Sequence, residues 1–338
     1  MVNLIGIAVV GTGYWGKNHV RNYKTLLIEK KIDYLKICDI DDNRAKQMAE
    51  DYSLEYTCDL NDIINDDKIT GVVVVTPSDN HYELAKILLE NGKDVFVEKP
   101  LTLNSDEAMD LVKIAKNNDK ILMVGHIFRY HPIVDDLKKR IDLGEFGKIN
   151  IIYTFRFAFG VPRTDIGVDF DLAVHDLDVA CYLLNYDFPK SLIADCVSFH
   201  QNDVIEMANI SLEFPNRARG YMMETWDVPV YDKKRELVII GTEKSAIADY
   251  LNPNEYKIFD TKIKKTKING KEILEIDEKT INKIILEYKE PLKEEILDFI
   301  NSLKNRNKPL ADGMVGYRTI KMCEAVVQSA NENKRIYF

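Results

Sequence analysis

The chain has 338 residues, 46% of them hydrophobic and 30% charged, which is enough material for two domains. Its net charge of −9 at pH 7 argues against a nucleic-acid-binding surface, so phosphate on a substrate must meet a local cluster of Arg or Lys. Its 5 cysteines lack CxxC spacing, no apolar run approaches the ~18 residues of a membrane span, and no secretion signal is visible, so we expect a cytoplasmic protein without disulfides or a metal.

The first 125 residues alternate short β-branched runs with helical stretches, a pattern typical of a parallel sheet with helices on both faces. The predicted strands are 4–10, 34–38, 71–75, 94–97 and 121–125. The predicted helices are 17–30, 44–51, 80–90 and 105–117, the last with Ser105 as its N-cap. This part is predicted to be a doubly wound domain over residues 1–125.

The first predicted strand runs directly into Gly11-Thr12-Gly13-Tyr14-Trp15-Gly16. Glycines at this spacing allow a tight turn into a helix whose N-terminus receives a pyrophosphate. Asp39 ends the second strand, where a carboxylate accepts hydrogen bonds from the ribose hydroxyls and repels a 2′-phosphate. The motif predicts a redox enzyme that uses NAD; Arg44 could reach a 2′-phosphate, but it is read as a solvated charge.

After residue 125 the pattern changes to longer alternating segments, which predict an antiparallel sheet. Strands are predicted at 148–157, 191–199, 206–214, 217–225 and 236–240, short strands and turns within 251–290, and helices at 291–303 and 313–331. We therefore expect a second, α+β domain over residues 126–338, in which an open-faced and mostly antiparallel sheet is flanked by helices.

Two groups of residues are candidates for chemistry. Glu98-Lys99-Pro100 follows the fourth parallel strand, at the carboxyl edge where doubly wound folds bind their ligands, although a lysine there is often only a solvated charge. Asp171 and His175 are four positions apart on one predicted helical face, and the alternative for this pair is a purely structural hydrogen bond.

Arg156 and Arg163 lie in the segment that leads into the Asp171 helix. Guanidinium groups bind diphosphates through charge-assisted hydrogen bonds, so both residues are candidates for that contact. The alternative reading makes them ordinary charges on a surface strand and a loop. His126 and His131 flank Arg129, but no acidic or cysteine partner with ligand spacing supports a metal there.

Five features stand in an order that is familiar from one family: the glycine motif, Thr76-Pro77, Glu98-Lys99-Pro100, Gly125-His126 with Arg129 and Pro132, and Asp171 with His175. Over nearly its whole length the chain resembles the glucose-fructose oxidoreductase, inositol dehydrogenase and MocA-like dehydrogenases. The resemblance implies an NAD(P)-binding Rossmann domain and a second domain whose sheet binds substrate and often makes the oligomer contact. A homodimer or homotetramer through that sheet is therefore expected.

Within the family, the chain looks most like sugar-nucleotide 3-dehydrogenases, which oxidise C3 of UDP-N-acetylglucosamine or of its uronic acid. This resemblance implies that Lys99 is catalytic and that Asp171 and His175 line the sugar site, which makes Lys99, His175 and Asp171 the expected catalytic residues. It implies cofactor contacts at Gly11, Gly13, Tyr14, Trp15, Gly16, Asp39, Thr76, Pro77, Asn80, His81, Glu98, Lys99 and Arg129, and substrate contacts at Lys99, Arg156, Arg163, Asp171 and His175.

Several alternatives remain open at this point. Either Lys99 or His175 can take the hydroxyl proton while hydride leaves for the nicotinamide. An inositol or free-sugar dehydrogenase would use the same cofactor chemistry without a nucleotide pocket. A non-catalytic NAD-binding sensor, or an enzyme that retains its cofactor between two substrates, would keep the fold.

Overall fold

The computed structural model describes residues 4–268, 271–277 and 280–338. The chain forms two compact units, one made of the residues up to Tyr130 together with Glu290–Lys321, the other of His131–Lys289 with Met322–Phe338. Neither unit is contiguous in the chain. The sequence-based division at residue 125, by contrast, follows chain order.

The regular elements follow one another along the chain in two groups. Up to residue 143 they are β1 (Gly6–Val10), α1 (Gly16–Ile28), β2 (Tyr34–Cys38), α2 (Asp42–Tyr52), β3 (Glu55–Thr57), α3 (Asn61–Ile64), β4 (Gly71–Val74), α4 (His81–Glu90), β5 (Asp94–Val97), α5 (Ser105–Asn117), β6 (Leu122–Val124) and α6 (Pro132–Asp142). The others are β7 (Ile149–Ala158), α7 (Val174–Leu184), β8 (Ser191–Val197), β9 (Met207–Glu213), β10 (Arg219–Thr225), β11 (Lys233–Gly241), β12 (Ser245–Asp249), β13 (Glu255–Asp260), β14 (Ile263–Ile268), β15 (Lys271–Ile276), β16 (Thr280–Ile285), α8 (Pro291–Asn305), α9 (Gly313–Glu332) and β17 (Ile336–Tyr337). Among the described residues, no helix is both long and apolar enough to cross a membrane.

The first unit contains a six-stranded parallel sheet with the order β3-β2-β1-β4-β5-β6. The strand order reverses between β1 and β4, and such a switch point opens a crevice at the carboxyl ends of the strands. All five predicted strands are confirmed within two residues at either end. The sequence missed β3, which has only 3 residues and is largely exposed.

Burial explains why the central strands form where they do. β4 and β5 are buried along their whole length, as expected of parallel strands covered on both faces. α8 joins this core, where the Phe299 ring meets Phe96 edge to face with 5.6 Å between centroids. The N-cap of α5 corrects a prediction, because the side chain of Asn104 accepts the bond from the Glu107 amide at 2.9 Å and Ser105 is the first helical residue.

The second unit is built on a nine-stranded sheet with the order β16-β13-β12-β11-β7-β10-β9-β8-β17. Its strands are antiparallel except for the pair β7 and β10, which confirms the expected mostly antiparallel sheet. The expected short strands within 251–290 are β13 to β16, and positions 269–270 and 278–279 lie outside the described residues. The helix α6 and the strands β12 and β17 were not predicted.

Side chains alternate between two faces along β7. Thr154 and Arg156 are buried on the face that packs against α7, whereas Tyr153 and Phe155 point to the opposite, more exposed face. Nearly all of α7, the helix that follows the turn with Asp171, is buried.

Candidate active site

The glycine motif joins β1 to α1, and its three glycines differ in what a Cβ atom would meet. Gly11 has φ +95°, and a Cβ there would lie 2.6 Å from the carbonyl oxygen of Val75; at Gly16 it would overlap the Gly11 carbonyl. A Cβ on Gly13 would meet nothing within 4 Å. Gly11 and Gly16 are thus required by the fold, whereas Gly13 leaves open space beside the backbone at the start of α1, as the predicted pyrophosphate contact would require. Tyr14 is 90% exposed beside it.

Asp39 lies one residue beyond β2 and is tied to the glycine motif. One carboxylate oxygen accepts hydrogen bonds from the Thr12 amide at 2.7 Å and the Thr12 hydroxyl at 2.8 Å. Burial raises the pKa of Asp39, but the amides of Asp41 and Thr12 and the nearby Arg44 outweigh burial and bring the pKa below its ordinary value. The carboxylate is ionised, as a ribose acceptor must be. Arg44 is half-exposed at the start of α2, with Nη1 3.4 Å from this carboxylate.

Glu98 and Lys99 follow β5 at the same edge of the sheet. The Glu98 Oε1 accepts hydrogen bonds from Trp15 Nε1 and from His19 Nε2, each at 2.7 Å, and Oε2 accepts from the Lys99 amide at 3.2 Å. Burial raises the pKa of Glu98, but the hydrogen bonds from His19 and Trp15 and the charges of His19 and Lys99 have the larger, opposite effect. The pKa of Glu98 therefore lies below its ordinary value. A Cβ on Gly125 would lie 2.7 Å from Oε2, so Gly125 makes room for this carboxylate.

His19 was not among the residues predicted from the sequence. It lies three residues after Gly16, on the first turn of α1, and its side chain is fully buried. The available signal was the helical spacing, which turns position 19 inward together with Gly16 and Tyr23.

Thr76, Pro77, Asn80 and His81 follow β4, beside the switch point. Thr76, Pro77 and Asn80 are at least partly exposed, but His81 is buried, with Nδ1 2.8 Å from the Pro100 carbonyl and Nε2 3.0 Å from the Thr76 carbonyl. Burial lowers the pKa of His81, against the opposing effect of these two contacts. His81 therefore holds together the segments that follow β4 and β5.

Arg129 lies in a short 3₁₀ turn, Ile127–Tyr130. Its guanidinium donates to the Leu310 carbonyl at 3.0 Å, in the connection between α8 and α9. The neighbouring His126 is buried, with Nε2 3.2 Å from the Thr319 hydroxyl. Within the described ranges, no group of three or more His, Cys, Asp or Glu side chains is placed to hold a metal ion.

The second unit carries Asp171 and His175. Asp171 lies in a π-helical turn, Asp169–Ala173, which continues directly into α7, and His175 is the second residue of α7. The wider turn replaces the regular α-helix predicted there; such turns often occur at functional sites. Arg163, which is 42% exposed, donates from Nη1 to Asp171 at 3.1 Å and from Nε to Asp165 at 2.9 Å. The structure thus brings together two of the predicted substrate residues.

For Arg156, the alternative of an ordinary charge on a surface strand is wrong. Its side chain is 2% exposed, and it donates from Nε to Asp176 at 3.0 Å and from Nη2 to the other carboxylate oxygen at 2.6 Å. It is therefore not a surface charge, and its guanidinium is directed at Asp176 in the interior of the unit. A diphosphate would have to displace that buried pair to reach it.

Comparison with known proteins places the chain in a family. The family described as "Oxidoreductase family, NAD-binding Rossmann fold" matches residues 5–126, and "Oxidoreductase family, C-terminal alpha/beta domain" matches residues 138–338. A scyllo-inositol 2-dehydrogenase (NAD(+)) of Bacillus subtilis is 30% identical over 78% of this chain and 79% of its own length. A UDP-N-acetylglucosamine 3-dehydrogenase of Acidithiobacillus ferrooxidans is 25% identical over 92% and 93%.

Solved structures agree in fold. The Acidithiobacillus ferrooxidans UDP-N-acetylglucosamine 3-dehydrogenase superposes with a TM-score of 0.82 at 23% identity, covering 98% of each chain. A levoglucosan dehydrogenase in complex with NADH and levoglucosan superposes with a TM-score of 0.87 at 20% identity, covering 99% of each chain. The chain belongs to the glucose-fructose oxidoreductase, inositol dehydrogenase and MocA family and is an NAD-dependent dehydrogenase.

Proposed function

We propose that the protein oxidises a secondary hydroxyl of a sugar to a ketone, and that its substrate is UDP-N-acetylglucosamine, oxidised at C3. The observation that carries the proposed chemistry is the position of Lys99. It follows β5 beside the buried and ionised Glu98, whose carboxylate also binds Trp15 of the glycine motif. A base held at this sheet edge is suited to take a proton next to the position where hydride leaves.

The residues divide the work in the following way. Bound NAD⁺ supplies the hydride acceptor. The glycine motif holds the pyrophosphate and Asp39 holds the ribose, while Glu98 orients the backbone of Lys99. Lys99 or His175 removes the hydroxyl proton, and Asp171 with Arg163 binds the sugar portion. Oxidation of the alcohol then gives a ketone, one hydride on the cofactor and one proton on the protein.

The nucleotide part of the proposal is supported by the resemblance in motifs and by the UDP-N-acetylglucosamine 3-dehydrogenase that matches over 92% of this chain. Arg163 is the remaining proposed contact for the diphosphate. Since it already pairs with Asp165 and Asp171, binding a diphosphate would require it to exchange a carboxylate partner. The uronic acid of the same sugar nucleotide is an alternative substrate.

An inositol or free sugar is a second candidate, because the buried Arg156 cannot serve a diphosphate without losing Asp176 and because an inositol dehydrogenase is 30% identical. The deciding experiment measures NADH formation with NAD⁺ and UDP-N-acetylglucosamine, its uronic acid or myo-inositol in separate reactions, with a keto-sugar aminotransferase to pull the equilibrium. Turnover with a UDP-sugar alone supports the proposal, and turnover with inositol alone overturns it. No turnover, with cofactor released on denaturation, would indicate a cofactor-recycling enzyme or a sensor.

We also propose that a second copy of the chain covers the exposed face of the nine-stranded sheet. That face holds a cavity of about 770 Å³, and Tyr153 stacks there on Tyr221 with 5.3 Å between ring centroids. Tyr221 is 39% and Met223 38% exposed, so the face offers aromatic and thioether surface for burial. Light scattering should give a dimer or tetramer for the wild type and a smaller species for Tyr221→Asp; a monomeric wild type would overturn the assignment.

A further inference from the structure

The Glu98 carboxylate joins three segments of the first unit. Trp15 belongs to the glycine motif, His19 to the first turn of α1, and the Lys99 amide to the segment after β5. Trp15 and His19 both donate to Oε1, whereas the Lys99 amide donates to Oε2. An ionised carboxylate has no proton to donate and can only accept hydrogen bonds, so all three groups approach it as donors.

Among the residues that the structure describes, Glu98 is the carboxylate that His19 contacts. Its ring lies 5.5 Å from the Phe96 ring and 6.4 Å from the Trp15 ring, both edge to face, and it stacks on Tyr23 at 6.4 Å. Tyr23 is uncharged, because burial and then Glu295 and Glu98 raise the pKa of its phenol. Glu295, on α8, is thus close enough to Tyr23 to act on its phenol. His19 is fully buried, so water cannot readily replace its donor.

We propose that Glu98 couples the cofactor-binding loop to Lys99 and that His19 is the positioning residue that maintains this coupling. The proposal rests on the proposed function, because it takes Lys99 as the group that acts on the substrate. With His19 in place, Glu98 stays ionised and can hold the Trp15 indole and the Lys99 amide at once. Without the His19 donor, the carboxylate is buried among aromatic rings with one donor fewer and takes up a proton more readily.

Coupling through Glu98 predicts an effect that simple packing of these side chains does not predict. Any displacement of Trp15 would be passed through the one carboxylate to the backbone of Lys99, because both groups bond Glu98. Loss of either donor should therefore change cofactor affinity and turnover together. It should also move the acid limb of the pH profile upward, because protonated Glu98 no longer accepts from all three donors.

The test compares His19→Phe, which keeps an aromatic ring between Tyr23 and Phe96 but has no donor, with His19→Gln, which retains an N–H. Thr25→Ala, at an exposed position on α1, serves as the control. We expect His19→Phe to raise the NADH dissociation constant and lower kcat, each on the order of ten-fold, with the acid limb at higher pH. His19→Gln should remain close to the wild type. If His19→Phe matches the wild type, or if His19→Gln is as impaired as His19→Phe, the proposal is overturned.

Trp15→Phe provides a second test that does not depend on a buried position, since Trp15 is 38% exposed. It should weaken NADH binding and shift the pH profile in the same direction. NADH binding by Trp15→Phe is also measured by calorimetry in combination with Lys99→Ala, because the binding measurement does not require an active enzyme. Retained turnover in Lys99→Ala alone would remove the catalytic role of Lys99, whereas unchanged NADH binding and pH profile in Trp15→Phe would remove the coupling.

Discussion

Arg156 and Asp176 form a two-point ion pair inside the second unit, between β7 and the helix α7 that carries His175. Glu224 lies directly opposite Arg156 on the parallel strand β10. Burial raises the pKa of Glu224 well above its ordinary value, and Asp176 raises it further, against the opposing charges of Arg156 and Arg235. Arg235 lies opposite Arg156 on β11, so the cluster brings two guanidinium groups close to Asp176 and Glu224. The Arg156–Asp176 pair fixes the N-terminal part of α7 to the sheet.

Arg156→Met should therefore act on stability. Removing Arg156 takes away the two hydrogen bonds that the buried Asp176 carboxylate accepts from it, and we expect a loss of about 3–5 kcal/mol in the free energy of unfolding. Urea denaturation measures this change. Arg163→Ala, which removes an exposed guanidinium, should cost about 1 kcal/mol or less and is the matched control. A stable Arg156→Met with reduced UDP affinity would return Arg156 to the substrate site.

Gly13 and Gly16 should respond in opposite ways to the addition of a single methyl group. Gly16→Ala places a Cβ against the Gly11 carbonyl, so thermal unfolding should shift to lower temperature. Gly13→Ala meets no protein atom within 4 Å, so its melting temperature should match the wild type while its NADH affinity falls. Calorimetric titration with NADH and a thermal melt separate the two effects. Wild-type NADH affinity in Gly13→Ala would mean that the pyrophosphate does not pass over this position.

Features that depend on neighbouring residues in the chain could be predicted from the sequence, whereas those that depend on distant residues could not. β4 and the glycine motif could be predicted because a run of valines and a turn with φ +95° at Gly11 are determined by adjacent residues. The burial of Arg156 depends on Asp176, 20 positions away, and on a strand neighbour, 68 positions away. His19 was missed for the same reason, since its partner Glu98 is 79 positions distant. Hydrophobic periodicity carries no information about such polar partners.

Asp39→Ser should reduce the preference for NAD over NADP. An ionised carboxylate in the predicted role would attract the ribose hydroxyls and repel a 2′-phosphate. Arg44 Nη1 lies 3.4 Å from the Asp39 carboxylate, so it would be placed to pair with a 2′-phosphate once that carboxylate is gone. We expect the ratio of kcat/KM for NAD to that for NADP to fall by at least about ten-fold. Initial rates with both cofactors measure it, and Arg44→Ala combined with Asp39→Ser should abolish any gain with NADP. An unchanged ratio would exclude Asp39 as the selecting group.

Asp169 should make the protein less stable as the pH rises. Burial raises the pKa of this carboxyl from 3.8 to about 6, although backbone amides of the π-helical turn act against the shift. Between these two values the folded protein holds a proton that the unfolded chain has released, so stability falls with increasing pH and levels off above about pH 6. The total loss amounts to about 3 kcal/mol. Urea midpoints at pH 4.5 and 7 should differ less in Asp169→Asn than in the wild type; equal differences would contradict this origin.

Lys99→Ala should separate chemistry from cofactor binding. The pyrophosphate and ribose are assigned to the glycine motif and Asp39, so NADH affinity should change little, whereas loss of a proton acceptor lowers kcat by about 10²–10⁴-fold. Lys116→Met, an exposed lysine on α5, is the control and should turn over normally. Small alkylamines added to Lys99→Ala distinguish the two candidate bases. If Lys99 is the base, the amine replaces it, and the turnover of Lys99→Ala recovers with increasing pH. If His175 is the base, amines do not restore Lys99→Ala, whereas imidazole restores the turnover of His175→Ala.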